Sequence, residues 1–237
     1  MTSAPTPVTS IPSASPSEFT IDAETTALIV IDMQRDFLLP GGFGESLGND
    51  VGLLRTVIEP LAGLIAVARE AGIPVIHTRE GHLPDLSDCP PAKLRRGTPS
   101  QRIGDRGAFG RILVRGEYGH DIVDELAPLE GETVIDKPGK GAFYATELSE
   151  VLTSAGITTL LVTGVTTEVC VHTTVREAND RGYECLVVTD CVGSYFPEFQ
   201  RVGLEMISAQ GGIFGWTAPS EDVVAALVAF VPSTASR

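Results

Sequence analysis

From Ala27 onward, short apolar runs rich in β-branched residues alternate with amphipathic stretches, and this alternation constrains the fold more than any other feature. The runs "ALIVID" (27–32), "IPVIHT" (73–78), "TVIDK" (133–137), "TTLLVTG" (158–164) and "YECLVVTD" (183–190) are apolar without strict alternation, as strands buried on both faces are. Between them, "TELSEVLTSAG" begins on Thr146 and stops at Gly156, a polar start and a glycine stop. "TEVCVHTTVREANDRG" runs from Thr167 to Gly182 with Val171, Val175 and Ala178 on one face, and "PSEDVVAALVAF" opens with Ser220 and two acids. Strand–helix alternation of this kind predicts a three-layer α-β-α domain, a parallel sheet covered on both faces and joined by right-handed crossovers. The segment 81–117 breaks the rhythm with Pro84, Pro90, Pro91, Pro99 and several glycines, and reads as a long excursion from a single domain spanning 21–237. Residues 1–20, rich in Ser, Thr and Pro with neither a basic start nor a hydrophobic segment, read as a disordered tail and not as a signal peptide.

The formal net charge of −14 disfavours nonspecific binding to nucleic acid or to an anionic membrane surface. The longest apolar runs are of strand length, so no transmembrane helix is expected. Four cysteines, Cys89, Cys170, Cys185 and Cys191, form no C-x-x-C pair and are too sparse for a disulfide framework or a zinc knuckle, which fits a reducing, cytoplasmic setting. Within an acidic chain, the excursion concentrates Lys93, Arg95, Arg96, Arg102, Arg106, Arg111 and Arg115. The preferred reading of that cluster is contact with acidic patches of another subunit, and attraction of an anionic substrate comes second.

In open parallel α/β sheets, ligands sit at the carboxyl ends of the strands. Asp32 closes the first predicted strand, Lys137 closes the third, and Cys170 follows the fourth across the turn "GVTTEV". Each has a plain alternative: a turn-capping acid, a solvated strand end, a small buried thiol. Packing does not require all three types at one edge, so their joint placement favours chemistry. Cys170 falls in the first turn of a helix, where backbone N–H groups and the dipole favour a thiolate. His172 lies two residues on, a spacing that turns its ring to another face, so the base must come from elsewhere and Asp32 is the nearest candidate. His77, His82 and His120 show no ligand-like spacing and are left structural or unassigned.

The blocks "LIVIDMQRDF", "VIDKPGKGAF" and "TGVTTEVCVHTTVREANDRGYECLVVTDC" resemble the isochorismatase-like cysteine hydrolases, a likeness that extends from about Thr25 to Phe230. The resemblance implies a six-stranded parallel, Rossmann-like sheet and a catalytic Asp, Lys and Cys at Asp32, Lys137 and Cys170. It also implies a non-proline cis peptide between Val165 and Thr166, which would aim the Thr166 N–H, with that of Cys170, at an oxyanion. Nicotinamidases of this family carry a metal site with an Asp-x-His element after the first block. Here "LLPGGFGESLGND" follows, so no metal and no cofactor are expected. Four further segments, "HTREGHLPDLSDCPPAK", "GRILVRGEYGHDIVDEL", "DKPGKGAF" and "QGGIFGW", look like the subgroup that cleaves biuret and triuret.

That likeness implies hydrolysis of biuret to allophanate and ammonia through a thioester on Cys170. Gln210 would select the ureido substrate, because a primary amide offers both a donor and an acceptor, although a helix C-terminal residue before Gly211 also explains it. Phe37 and Phe143 are candidate pocket walls, with core packing as the alternative, and Lys140 could reach the substrate or stand as a solvated loop lysine. The partners implied are a small ureide or amide and further copies of the chain, as a dimer or tetramer. Rival readings are a hydrolase of triuret, N-carbamoylsarcosine or ureidoacrylate, and outside enzymes a non-catalytic binding module of the same fold.

Overall fold

The computed structural model describes residues 8–232. Its centre is a six-stranded sheet built from β3 (Thr26–Ile31), β4 (Val75–Glu80), β5 (Thr133–Lys137), β6 (Thr159–Val165), β7 (Glu184–Gly193) and β8 (Trp216–Ala218). The strand order is β8-β7-β6-β3-β4-β5 and every pairing is parallel. β3 to β5 step outward on one side, and the chain then returns to lay β6 against the other edge of β3. The crevice between the ends of β3 and β6 is therefore the topological switch point. All five expected strands form, each shifted by at most a few residues, and the short sixth lies at an edge.

Alternate residues of each strand enter opposite core layers, as a period of two requires. Leu28, Val30, Leu161, Val165, Leu186 and Val188 pack with helices α1 (Ile58–Glu70) and α5 (Ser220–Val228). Ala27, Ile29, Ile31, Ile135, Leu160, Val162 and Val187 pack with α2 (Leu148–Ser154), α3 (His172–Asp180) and α4 (Pro197–Gly212). The expected apolar face, Val171 just before α3 with Val175 and Ala178 on it, is wholly buried.

Two expectations are corrected. Residues 8–20 are not a loose tail: β1 (Val8–Ile11) and β2 (Phe19–Asp22) form an antiparallel hairpin whose Ile11, Ala14, Phe19 and Ile21 are buried. Ser15 exchanges backbone hydrogen bonds of 2.9 and 3.0 Å with Thr217, closing the exposed side of the edge strand β8. A few apolar residues spaced among Ser and Pro suffice once an open edge offers partners; residues 1–7 lie outside the described chain. The second concerns apolar length. The 20 residues Val51–Glu70 are apolar and long enough to cross a membrane. The stretch is broken into Val51–Arg55 and α1, and its Leu54, Ile58, Leu61, Leu64, Ile65 and Ala68 are buried against the sheet, which accounts for its hydropathy.

The excursion is largely irregular, with one helical turn at Pro91–Leu94 and a two-residue ladder between Arg106–Gly107 and Gly110–Arg111. It is anchored to its own domain. Cys89, Ile112, Leu113 and Val114 are buried, Leu113 N–H donates to the buried Asp36 carboxylate at 3.3 Å, and Arg115 donates to Gly81 O. Arg102 and Arg111 spend their donors on carbonyls within the excursion.

Candidate active site

Asp32 follows β3 in the left-handed region at φ 51°, a conformation Asp tolerates better than most residues and one that commonly marks a functional position. β6 approaches closely because residue 164 is glycine: at φ 101°, a Cβ there would lie 2.0 Å from Ile31 O. Thr78, near the end of β4, donates its hydroxyl to Asp32 Oδ1 at 2.7 Å. Lys137, the last residue of β5, puts Nζ 2.7 Å from Asp32 Oδ2, and both side chains are fully buried. That contact is a close, charge-assisted pairing between the ammonium and the carboxylate. Lys137 Nζ also donates to Gly139 O at 3.0 Å and Lys140 O at 2.9 Å. Burial disfavours the ammonium, but the carboxylates of Asp32 and Glu80 outweigh it and hold its pKa above the ordinary lysine value.

Cys170 sits in a π-helical turn, Thr167–Val171, that leads into α3. The Val165–Thr166 peptide before it is cis, as the resemblance implied. Thr174 Oγ1 donates to Cys170 O at 2.7 Å and accepts from Ala142 N–H at 3.0 Å, clamping the loop after Lys137 to the nucleophile turn. Asp32, Glu80 and Cys170 each bring one donor atom within 4.8 Å of the others. These are donor types that take a cation, but Lys137 and Lys140 already meet both carboxylates, so the set does not make a metal centre.

Burial pushes the Cys170 thiol well above its ordinary pKa; Lys137 and Lys140 pull it down only in part, while Asp32 and Glu80 push it further up. This corrects the expectation of a thiolate stabilised by the helix start. Burial thus holds the group as a thiol near neutral pH. His172 turns away, as its spacing requires. Its Nε2 meets Gly203 O at 3.1 Å and its Nδ1 accepts from Arg176 at 2.9 Å. The buried His77, His82 and His120 each face a different acid, Glu132, Asp88 and Asp136, and are brought into no common site.

A cavity of about 240 Å³ opens onto Cys170, walled among others by Phe37, Thr166, Glu168, Tyr195 and Phe196, with Glu80 and Lys140 at its side. A larger concavity of about 490 Å³ lies beyond Glu168, between α3 and α4, and does not reach the sulfur. Of the expected pocket residues, Phe37, Lys140 and Thr166 line the cavity. Phe143 does not: it is buried in the core, stacked on Tyr183 at 5.7 Å and covered by the Arg181 guanidinium at 4.9 Å. Gln210 does not either. It ends the regular part of α4 at φ 54°, exposed and outside the lining of the cavity, which agrees with its helix-terminal alternative.

Sequence reasoning missed Glu80, Gln34 and Thr78. Gln34 stands inside the "DMQRDF" block, where its amide accepts from Glu80 N–H at 2.7 Å and donates to Glu80 O at 3.0 Å and His120 O at 2.8 Å. The available signal was a glutamine two residues after Asp32. Glu80 is fully buried at the end of β4, paired in register with Lys137. Its partners are Lys140 Nζ at 2.8 and 3.0 Å and Lys93 Nζ at 3.2 Å. The excursion thus contributes Lys93 to the site of its own chain. A second cavity of about 230 Å³, sharing Leu47 and Lys140 with the first, is lined by Lys93, Arg96 and Gln101.

A thiol, a buried acid and a buried ammonium thus meet at the switch point of a doubly wound sheet, an arrangement suited to cysteine-based hydrolysis. Residues 26–219 match the isochorismatase domain, and the chain belongs to the isochorismatase family of hydrolases. Among similar proteins is the ureidoacrylate amidohydrolase RutB of Methylorubrum extorquens, 34% identical over 90% of this chain and 87% of that protein. Among solved structures, a cysteine hydrolase from Pseudomonas syringae pv. phaseolicola superposes with a TM-score of 0.76 at 26% identity, covering 96% of this chain and 100% of that one. An isochorismatase family protein from Desulfovibrio vulgaris gives 0.69 at 33% identity, over 85% of this chain and 98% of that one.

Proposed function

We propose that the chain is a metal-independent cysteine amidohydrolase that cleaves a C–N bond of a small ureido or carbamoyl compound. The observation that carries this reading is the buried Asp32–Lys137 pair at 2.7 Å, with its carboxylate within 4.8 Å of the Cys170 sulfur. Asp32 takes the thiol proton, and the sulfur attacks the substrate carbonyl carbon. The Thr166 and Cys170 N–H groups hold the resulting oxyanion. Lys137 offsets the negative charge shared by acid and sulfur. Asp32 returns the proton to the departing amine as the tetrahedral intermediate collapses to a thioester. Water, deprotonated by Asp32, hydrolyses the thioester and restores the thiol.

Biuret, giving ammonia and allophanate, is the first substrate to test, supported by the four segments that resemble biuret-cleaving enzymes. A ureido acid is the second reading. It is favoured by the 34% identity to ureidoacrylate amidohydrolases and by Lys93, Arg96 and Lys140 along the adjoining cavity. The reading extends to a cytoplasmic homo-oligomer, supported by four free thiols and by the exposed Phe196, Phe199 and Met206 beside the site. Ammonia release from biuret, triuret, ureidoacrylate and N-carbamoylsarcosine, with Cys170→Ala as control, tests it. One of these substrates should give chelator-insensitive release that Cys170→Ala abolishes, and release from none would end the amidohydrolase reading.

A further inference from the structure

Glu80 has no part in the mechanism above, yet it is the group the nucleophile faces. Cys170 Sγ donates to Glu80 Oε2 at 3.7 Å, a long and weak thiol hydrogen bond. The carboxylate is fully buried, its backbone is gripped on both sides by Gln34, and it forms part of the cavity lining. A carboxylate set against a thiol opposes formation of the thiolate, so its position beside Cys170 bears directly on the reactivity of the sulfur. Burial alone would raise the Glu80 pKa, but Lys137, Lys140 and Lys93 outweigh it and bring it to about 2. Near neutral pH it is therefore an acceptor only. It is also too weak a base to keep the proton it holds by hydrogen bond.

We propose that Glu80 is the substrate-orienting acceptor that gates Cys170, taking the thiol S–H in the empty site and an N–H of the ureido group once substrate enters. This rests on the amidohydrolase reading. A ureide presents N–H donors flanking the carbonyl that Cys170 attacks, and Glu80 stands beside the sulfur where such a donor arrives. An incoming N–H competes for Oε2 and frees the S–H bond to rotate toward the Asp32 carboxylate, which lies within 4.8 Å of the sulfur. The proton then passes from sulfur to Asp32, and no other bond changes. Deprotonation is thereby coupled to occupancy, and the empty enzyme keeps an unreactive thiol. The charged groups bearing on Cys170 are Lys137, Asp32, Glu80 and Lys140, with Lys93 acting through Glu80.

The test is the pH profile of Cys170 alkylation by iodoacetamide, read by site-resolved mass spectrometry, in wild type and Glu80→Gln, alongside steady-state kinetics on the best ureide. Glu80→Gln removes one negative charge and leaves two ammonium groups uncompensated, and both effects favour the thiolate. The alkylation midpoint should fall by at least about one pH unit, while kcat/KM falls at least about tenfold. A merely structural glutamate would lower stability without moving the midpoint, and an unmoved midpoint overturns the proposal. A lowered midpoint with unchanged kcat/KM removes the substrate-acceptor role. Should Glu80→Gln not fold, Lys93→Met supplies the opposite arm: the carboxylate is less neutralised and the midpoint should rise, and a fall or no change counts against the proposal. Alkylation needs no substrate. A shifted midpoint in a protein that releases no ammonia from any ureide would sink the amidohydrolase reading and leave the Glu80–thiol contact supported.

Discussion

Replacing Lys137 by methionine removes an ammonium from the most enclosed ion pair in the described structure while nearly preserving its volume. Asp32 would then be a fully buried carboxylate with only the Thr78 hydroxyl aligned to it. Breaking a buried pair from one side costs about 3–5 kcal/mol, because the remaining charge is uncompensated. Gly139 O and Lys140 O also lose donors, at about 1 kcal/mol each, and the methionine side chain offsets part of this through packing. The expected loss is about 4–6 kcal/mol, which for a chain of this size lowers Tm by roughly 10–20 °C. Urea unfolding of Lys137→Met, Asp32→Asn and the double variant completes a thermodynamic cycle. The double variant should cost less than the sum of the singles by about 2–3 kcal/mol, since neither then strands a charge. Single-variant costs that add within about 0.5 kcal/mol would refute the reasoning, since groups 2.7 Å apart and shielded from water must couple. All three variants should lack Cys170-dependent turnover.

Gly164→Ala should cost more than about 3 kcal/mol or prevent folding, because a Cβ 2.0 Å from Ile31 O must push β6 off β3; a soluble, equally stable variant would contradict the close approach. Phe143→Ala should lose about 3–5 kcal/mol in urea unfolding yet keep the wild-type KM, and a selective rise in KM would return Phe143 to the pocket. Acid should destabilise the protein well above the carboxylate range. Burial lowers His120 from its ordinary 6.5 to about 4, so the unfolded chain binds the proton first, and stability falls as pH drops through that window, by up to about 3 kcal/mol. His77, His82 and His172 are lowered by burial as well and act in the same direction. The Glu80 contribution persists to lower pH and is lost between about 4.5 and 2. Urea unfolding across pH 7.5 to 4 in wild type and His120→Gln checks this, with a flatter slope in the variant, and constant stability over that range would contradict it.

The edge that carries the candidate site was legible because a parallel sheet imposes direction. Once the apolar runs are strands, residues just past Ile31, at Lys137 and just past Val165 must lie at one rim, whatever the loops between them do. Asp32, Lys137 and Cys170 could therefore be brought together from spacing alone, and His172 could be set aside from helical geometry. Glu80 could not, because "HTREG" ends like any charged strand, and only the register pairing it with Lys137 reveals that it is buried. Lys93 was legible as a charge but not as a partner, since an irregular excursion carries no periodicity from which its path can be read. The hairpin at residues 8–22 depends on the open edge of β8, a surface that exists only after the sheet has formed.

The aromatic and amide positions mark the other limit. Phe37 and Phe143 are alike on paper, and whether a ring faces a cavity or a core depends on neighbours such as Tyr195 and Tyr183 that are distant in sequence. Gln210 is polar and near a motif, but it lies exposed in a left-handed conformation at the end of α4, outside the lining of the cavity. By itself the sequence determined the layer order, the rim and the placing of Asp32, Lys137 and Cys170 along it, because local periodicity and strand direction suffice for these. Tertiary structure alone decided the protonation state of the thiol and the carboxylate it faces. Both depend on burial and on charges brought within a few ångströms from separate strands, and no local pattern encodes either.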